Sequence, residues 1–150
     1  MARVNIGVDP IYLTDQWLVA ESVEITMITG GLRKHNYTIK SAVPAKFVMG
    51  PGHINFFKPK LKYLQSRLNA VNDEMRARGF SPGTNLDDLT EFPEHFHQTW
   101  VPTQADSNLL RERLVWKINR KPDLWRWRRS KLVDTYEFCC QIIECPLYIV

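Results

Sequence analysis

Two carboxylates, a block of cations and a run alternating tryptophan with arginine hold most of the chemistry in this chain. Glu21 and Glu24 stand at i, i+3 in a segment with helical period. At that spacing, on a helix that also carries buried residues, the pair is mildly unusual, although such a pair usually faces water. Between Arg111 and Lys131, nine basic residues stand against Glu112 and Asp123, so the segment carries +7 and the rest of the 150-residue chain −3. A polyanion footprint and a solvated helix face share that composition. Within the block, Arg113, Lys117 and Lys121 repeat every four residues, which makes a basic helical stripe. Leu124-Trp125-Arg126-Trp127-Arg128-Arg129 follows. Arginine pairs with phosphate and tryptophan stacks on bases and sugars, which makes this a nucleic-acid contact before a membrane one. Arg33-Lys34-His35, after Gly30-Gly31, suits a loop contact to phosphate or simple solubility.

Other candidates carry less. His95-x-His97 has no acidic or cysteine partner at ligand spacing and reads as surface or packing. Cys139, Cys140 and Cys145 are odd in number and crowded together, which suggests free thiols in a reducing compartment. No metal and no cofactor are expected.

Three helices must position these groups. The first opens at Thr14, with Asp15 at its positive end and Leu13 and Leu18 as a hydrophobic staple; it is expected to reach about Met27 and stop before Gly30-Gly31. Trp17, Glu21, Glu24 and Ile28 share one face, and Leu18, Ser22 and Ile25 the next. The second carries the stripe Phe57, Leu61, Leu64, Leu68, Val71 and Met75, in steps of four and three. It is expected from Lys58 to Gly79, with Pro59 in its first turn, the turn Gly50-Pro51-Gly52-His53 before it, and Lys58, Lys60, Lys62, Arg67 and Asp73 on a wet face. The third starts at Thr103, a cap facing Asp106, buries Leu110, Leu114 and Ile118, and ends at Pro122. Gly79 to Gln104 is a long connector whose Phe80, Phe92, Phe96 and Trp100 should tie it to the helices. Residues 1–8 look mildly β-like, and the apolar tail after Lys131 looks strand-like.

At this length, with 44% hydrophobic residues, one domain is expected. No apolar run approaches a bilayer span and no leader pattern opens the chain, so a cytoplasmic protein without a membrane partner is the expectation.

The order of motifs resembles a known family. The fingerprint Gly50-x-Gly52-His53-x-x-Phe56-Phe57-x-x-Lys60-Leu61-x-x-Leu64-x-x-Arg67 is similar to that of the phage-type pyrimidine-dimer DNA glycosylases, the endonuclease V-type AP lyases. Met1-x-Arg3-x-Asn5, Asp15-Gln16, Ala20-Glu21, Glu24, Arg33-Lys34-His35, Arg78-Gly79-Phe80 and Arg113-Leu114-x-x-Lys117-Ile118 fit in the same order, covering about residues 1–131. The resemblance implies an all-α, compact domain of three main helices with long loops and the N-terminus threaded between helices, followed by the 132–150 tail. It implies that the Ala2 amine, exposed once Met1 is removed, attacks C1′ of a damaged nucleotide, with Glu24 as the catalytic carboxylate. Arg3, Gln16, Arg33, Lys34, Arg113 and Lys117 then lie near double-stranded DNA, with Trp125, Arg126 and Trp127 as the aromatic-basic segment; the protein acts as a monomer. The family has histidine where this chain has Trp17, and arginine where it has Val23 and Met27. The alternative reading is a catalytically inactive DNA-binding relative with an accessory or counter-defence role.

Overall fold

The computed structural model describes residues 4–150; the candidates Ala2 and Arg3 lie outside the described residues. The chain is mostly helical. Among the described residues the α-helices are α1 (Asp15–Lys34), α2 (His53–Phe57), α3 (Leu61–Ala77), α4 (Gln104–Arg120) and α5 (Thr135–Glu144), with short 3-10 turns at Pro10–Tyr12 and Glu94–Phe96. The only regular strands among the described residues are β1 (Arg126–Trp127) and β2 (Ser130–Lys131), a small antiparallel hairpin. No helix is long and apolar enough to cross a membrane.

Three of these helices, α1, α4 and α5, start where the sequence supplies a side-chain acceptor. Thr14 accepts the Trp17 N–H at 3.1 Å, and Leu13 and Leu18 are both buried beside the cap. Thr103 and Asp106 form a full capping box on α4. α1 continues past Met27, through Gly30-Gly31, to Lys34. Two glycines cost a helix about 1 kcal/mol each, but burial of Ile28, Thr29 and Leu32 on the far side outweighs that cost.

The central helix is two helices. Pro59 lacks the N–H that would continue α2, so the chain turns at Lys58–Lys60 and α3 begins at Leu61. The six-residue stripe from Phe57 to Met75 is buried as its spacing requires. The turn before α2 closes through His53 N–H to Gly50 O. Phe47, Phe56, Phe57, Tyr63 and Trp100 cluster around α2, with Phe57 stacked on Tyr63 at 5.9 Å. Phe92 and Phe96 pin the long connector to the core.

Three arginines are buried where the sequence suggested water or gave no hint. Arg67, expected on a wet face, has no exposure; it donates to both Glu21 oxygens (2.6 and 3.1 Å) and to Val8 O (2.7 Å). Arg78 donates to Asp15, Glu74 and the carbonyls of Leu13, Pro10 and Ile11. Arg111 donates to carbonyls at the end of α5 (Ile142, Ile143, Cys145), to Pro146 and to Gly7. Residues 4–8 are therefore irregular rather than β, with Val4, Ile6 and Val8 fully buried and their backbone served by side chains from α3 and α4. Gly7 sits at φ +70, and a Cβ there would fall 2.5 Å from Ser107 Oγ.

The tail is a helix, not a strand. Asp134 caps α5 by accepting the Glu137 N–H, Phe138, Cys139 and Ile142 turn inward against α4, and Tyr148 N–H bonds Gly7 O. Its three cysteines are unbridged, and burial pushes the Cys139 and Cys145 thiols up. Glu21→Ala is expected to lower unfolding free energy by about 3–5 kcal/mol, because it strands the Arg67 charge in the interior. Urea denaturation reads this, and Asp73→Ala, at the exposed Arg76 pair, should leave the midpoint unchanged.

Candidate nucleic-acid interface

α1 and α4 converge on a groove of about 490 Å³. Gln16, Trp17 and Ala20 line it from α1; Arg113, Trp116, Lys117 and Arg120 line it from α4; Lys121, Leu124 and Trp125 close its end. The α4 side is a cation–aromatic wall. The guanidinium of Arg113 lies 4.3 Å and that of Arg120 5.0 Å from the Trp116 ring centre. The sequence signal for Trp116 and Arg120 was there, since 113, 116, 117 and 120 share one helical face; tryptophan simply invites a core assignment. Trp17 and Trp125 form the floor, their rings 5.0 Å apart and tilted. Among the described residues both indole N–H groups are buried without an acceptor. Such donors cost about 1–3 kcal/mol each.

A second groove, about 700 Å³, opens on the other side of Gln16 and Ala20 between α1 and the hairpin. Val19, Phe80, Arg126 and Arg129 line it. The hairpin is tied to α1 through Gln16 and Asp15, and to the segment before α1 through Ile11. Gln16 donates Nε2 to Leu124 O (2.7 Å) and accepts the Arg126 N–H on Oε1 (3.0 Å). Asp15 accepts the N–H groups of Arg128 (3.1 Å) and Arg129 (2.7 Å). Trp127 donates its indole N–H to Ile11 O at 2.8 Å. Arg128 and Arg129 hold φ of 49° and 68°, a left-handed turn that normally takes Asn-Gly. Asp15, clamped by Arg78, holds them there. The turn leaves Arg126, Arg128 and Arg129 side chains at the surface.

The sequence-derived candidates fall into distinct places. Arg113 and Lys117 line the α4 wall, and Lys117 has partners of its own. Arg126 reaches solvent, whereas Trp125 turns into the groove floor and Trp127 is held by Ile11 and the guanidinium groups of Arg78 and Arg128. Gln16 spends both amide atoms on the hairpin. Lys34 is exposed at the end of α1, and Arg33 beside it grips Glu91 with Nε 3.0 Å from both carboxylate oxygens.

Glu21 and Glu24 are both buried, against the expectation that they face water. Glu21 neutralises Arg67 and accepts from Asn5 Nδ2 at 2.8 Å. Glu24, 8% exposed, lies on the same side one turn further on and also has partners. Val4 N–H donates to His53 Nε2 (3.1 Å), while the ring's Nδ1 donates to Val48 O (3.0 Å), fixing the neutral Nδ1–H tautomer. The first described residues are thus fastened next to the α1 face that carries Glu24. His95 and His97 pack on Phe96 and on Leu89 O, and among the described residues no group of three or more His, Cys, Asp or Glu side chains could hold a metal.

Two outcomes follow from these ties. Gln16→Ala should free the hairpin base, shift tryptophan emission to the red and raise its quenching by iodide, with helix content by circular dichroism unchanged. Donation from Arg33 holds the Glu91 carboxyl below its ordinary value of 4.5. Its contribution to stability is therefore present above that value and lost as pH falls through the depressed one. Glu91→Gln should flatten that acid limb in a series of urea midpoints.

Residues 1–88, more than half of the chain, match the pyrimidine dimer DNA glycosylase family. The match covers α1, α2, α3 and the segment fastened against α1. On that match the chain belongs to the pyrimidine dimer DNA glycosylase family.

Proposed function

We propose that this chain is a DNA N-glycosylase with AP-lyase activity on damaged or modified pyrimidines in double-stranded DNA. The observation that carries the reading is the anchoring of residues 4 and 5. His53 holds the Val4 N–H and Glu21 holds the Asn5 side chain, one turn before Glu24 on α1. The reading needs the Ala2 amine to act with Glu24, and the fastening of residues 4 and 5 by His53 and Glu21 supports it. An α-amine titrates at about 7.7–8.0, so a useful fraction is unprotonated and nucleophilic at neutral pH.

The Ala2 amine, with Met1 removed, attacks C1′ and displaces the base, which leaves with the glycosidic bond's electron pair. The amine loses its protons as the sugar ring opens, giving an imine at C1′. Glu24 stabilises positive charge on the sugar and passes protons. Removal of a C2′ proton then expels the 3′ phosphate by β-elimination and nicks the strand. Arg113, Lys117 and Arg126, with Arg3 and Lys34, act as phosphate anchors, and Arg33 joins them by exchanging Glu91 for phosphate. Gln16, Trp125 and Trp127 position the hairpin and the groove floor rather than stacking on bases. Metal and cofactor have no part in this sequence of steps, and the protein acts as a cytoplasmic monomer.

A second reading, a DNA-binding relative without lyase activity, is favoured by the exposed, uncharged Val23 and Met27 beside Glu24. Borohydride trapping on abasic-site duplex separates the two. The glycosylase reading expects a covalent protein–DNA adduct that disappears when Met1 is retained, and Glu24→Gln should abolish cleavage while binding persists. Salt-sensitive binding with no adduct would leave the second reading standing.

A further inference from the structure

The outward face of α1 carries no charge. Between Asp15 and Leu32, every residue of this helix that reaches solvent is uncharged. Val19, Val23 and Met27 stand out from it, 43%, 47% and 64% exposed. They fall at i, i+4 and i+8, one line about 12 Å long at the helical rise. Met27 is also the i+3 neighbour of Glu24. Exposed apolar lines of this kind mark contact surfaces on a protein whose own core is already closed.

The ends of the line indicate what covers it. Arg33 and Lys34 stand at one end, Arg126 and Arg129 at the other, and Arg129 lies 4.8 Å from the Phe80 ring centre beside Val19. Glu91 offsets only Arg33. A polyanion spanning both ends places its phosphates on the cations and its uncharged interior on the apolar line. A second copy packed two-fold on this face would bring basic ends against basic ends.

We infer that Val23 and Met27 form an apolar wedge that enters between adjacent bases of duplex DNA and unstacks them next to Glu24. Apolar side chains inserted at a base step open and kink a duplex, and flanking cations hold the bent backbone. The inference rests on the DNA reading above and adds the means by which the stack is opened. It also gives a use to positions where charge would have strengthened phosphate contact.

The test uses a duplex with a tetrahydrofuran abasic analogue, which cannot be cleaved, 2-aminopurine stacked beside it, and a distant dye that reports binding by anisotropy. The wild-type chain should raise 2-aminopurine emission several-fold on binding. The Val23→Ser/Met27→Ser double variant should bind with the same salt slope and lose most of that rise, and Val23→Leu/Met27→Leu should restore it. Both positions are exposed, and melting followed by circular dichroism checks that the variants fold. A full rise with the serine variant, or bound wild-type protein with no rise, overturns the wedge and leaves DNA binding intact. No binding by wild-type protein overturns the DNA reading and the wedge together. A wild-type dimer by sedimentation that the serine variant breaks assigns the face to a second copy and overturns the wedge.

Discussion

Arg67 meets Glu21 where neither side chain touches water, and the rest of the molecule is arranged to make that tolerable. A lone guanidinium in that position would be prohibitive. Paired, its remaining donor is free to serve Val8 O. Arg78 and Arg111 follow the same plan. Arg78 is neutralised by Asp15 and Glu74, while Arg111 donates to the Ser107 hydroxyl and to carbonyls, three of them at the negative end of α5. The common result is that irregular backbone, residues 4–8 above all, lies inside the protein with its polar groups satisfied. Helices cannot do that for one another; long side chains with several donors can.

That arrangement also divides the work among the carboxylates of α1. Glu21 is committed to Arg67 and Asn5, which leaves Glu24, a turn further on, as the carboxylate next to the segment they hold. Asp15 is committed to Arg78 and to the turn of the hairpin, so the same helix that carries Glu24 fixes where Arg126 and Arg129 stand. α1 therefore couples a buried acid to two surface grooves. Its outward face is left apolar because its polar side chains are used inward.

Much of this was legible in the sequence and some was not, for reasons that differ by element. The stripe from Phe57 to Met75 was readable because apolar spacing depends only on the helical period, although Pro59 divides it into two helices. The burial of Arg67 and Arg111 was not, since nothing local distinguishes an arginine that finds a buried partner from one that faces water. α5 was missed through composition. Tyr136, Phe138, Ile142 and Ile143 suggest a strand, yet Asp134 and Glu137 stand three apart at its start and Phe138, Ile142 and Cys145 keep the helical period. The hairpin gave no turn signal, because Arg128-Arg129 occupies positions that favour glycine or asparagine and is held there by Asp15 from far away in the chain. Charge and spacing put Arg113 and Lys117 on one face of α4, where they line the groove, but side-chain direction within a hairpin set by distant contacts was beyond the sequence.

The joint between Gly7 and the segment 142–148 has a consequence for biosynthesis. Gly7 O receives Arg111 and Tyr148 N–H, and the same arginine gathers the carbonyls that end α5. As a chain leaves the ribosome, residues 4–8 emerge well before Arg111 and Tyr148, which complete a fastening begun by Glu21, His53 and Arg67. α1 and α3 can associate early through Arg67 and Glu21, whereas the final seating of the segment next to Glu24 waits for translation to pass Tyr148. Seating of residues 4–8 is thereby tied to synthesis of residues 142–148, and a nascent chain that stops short of them is left without the clasp.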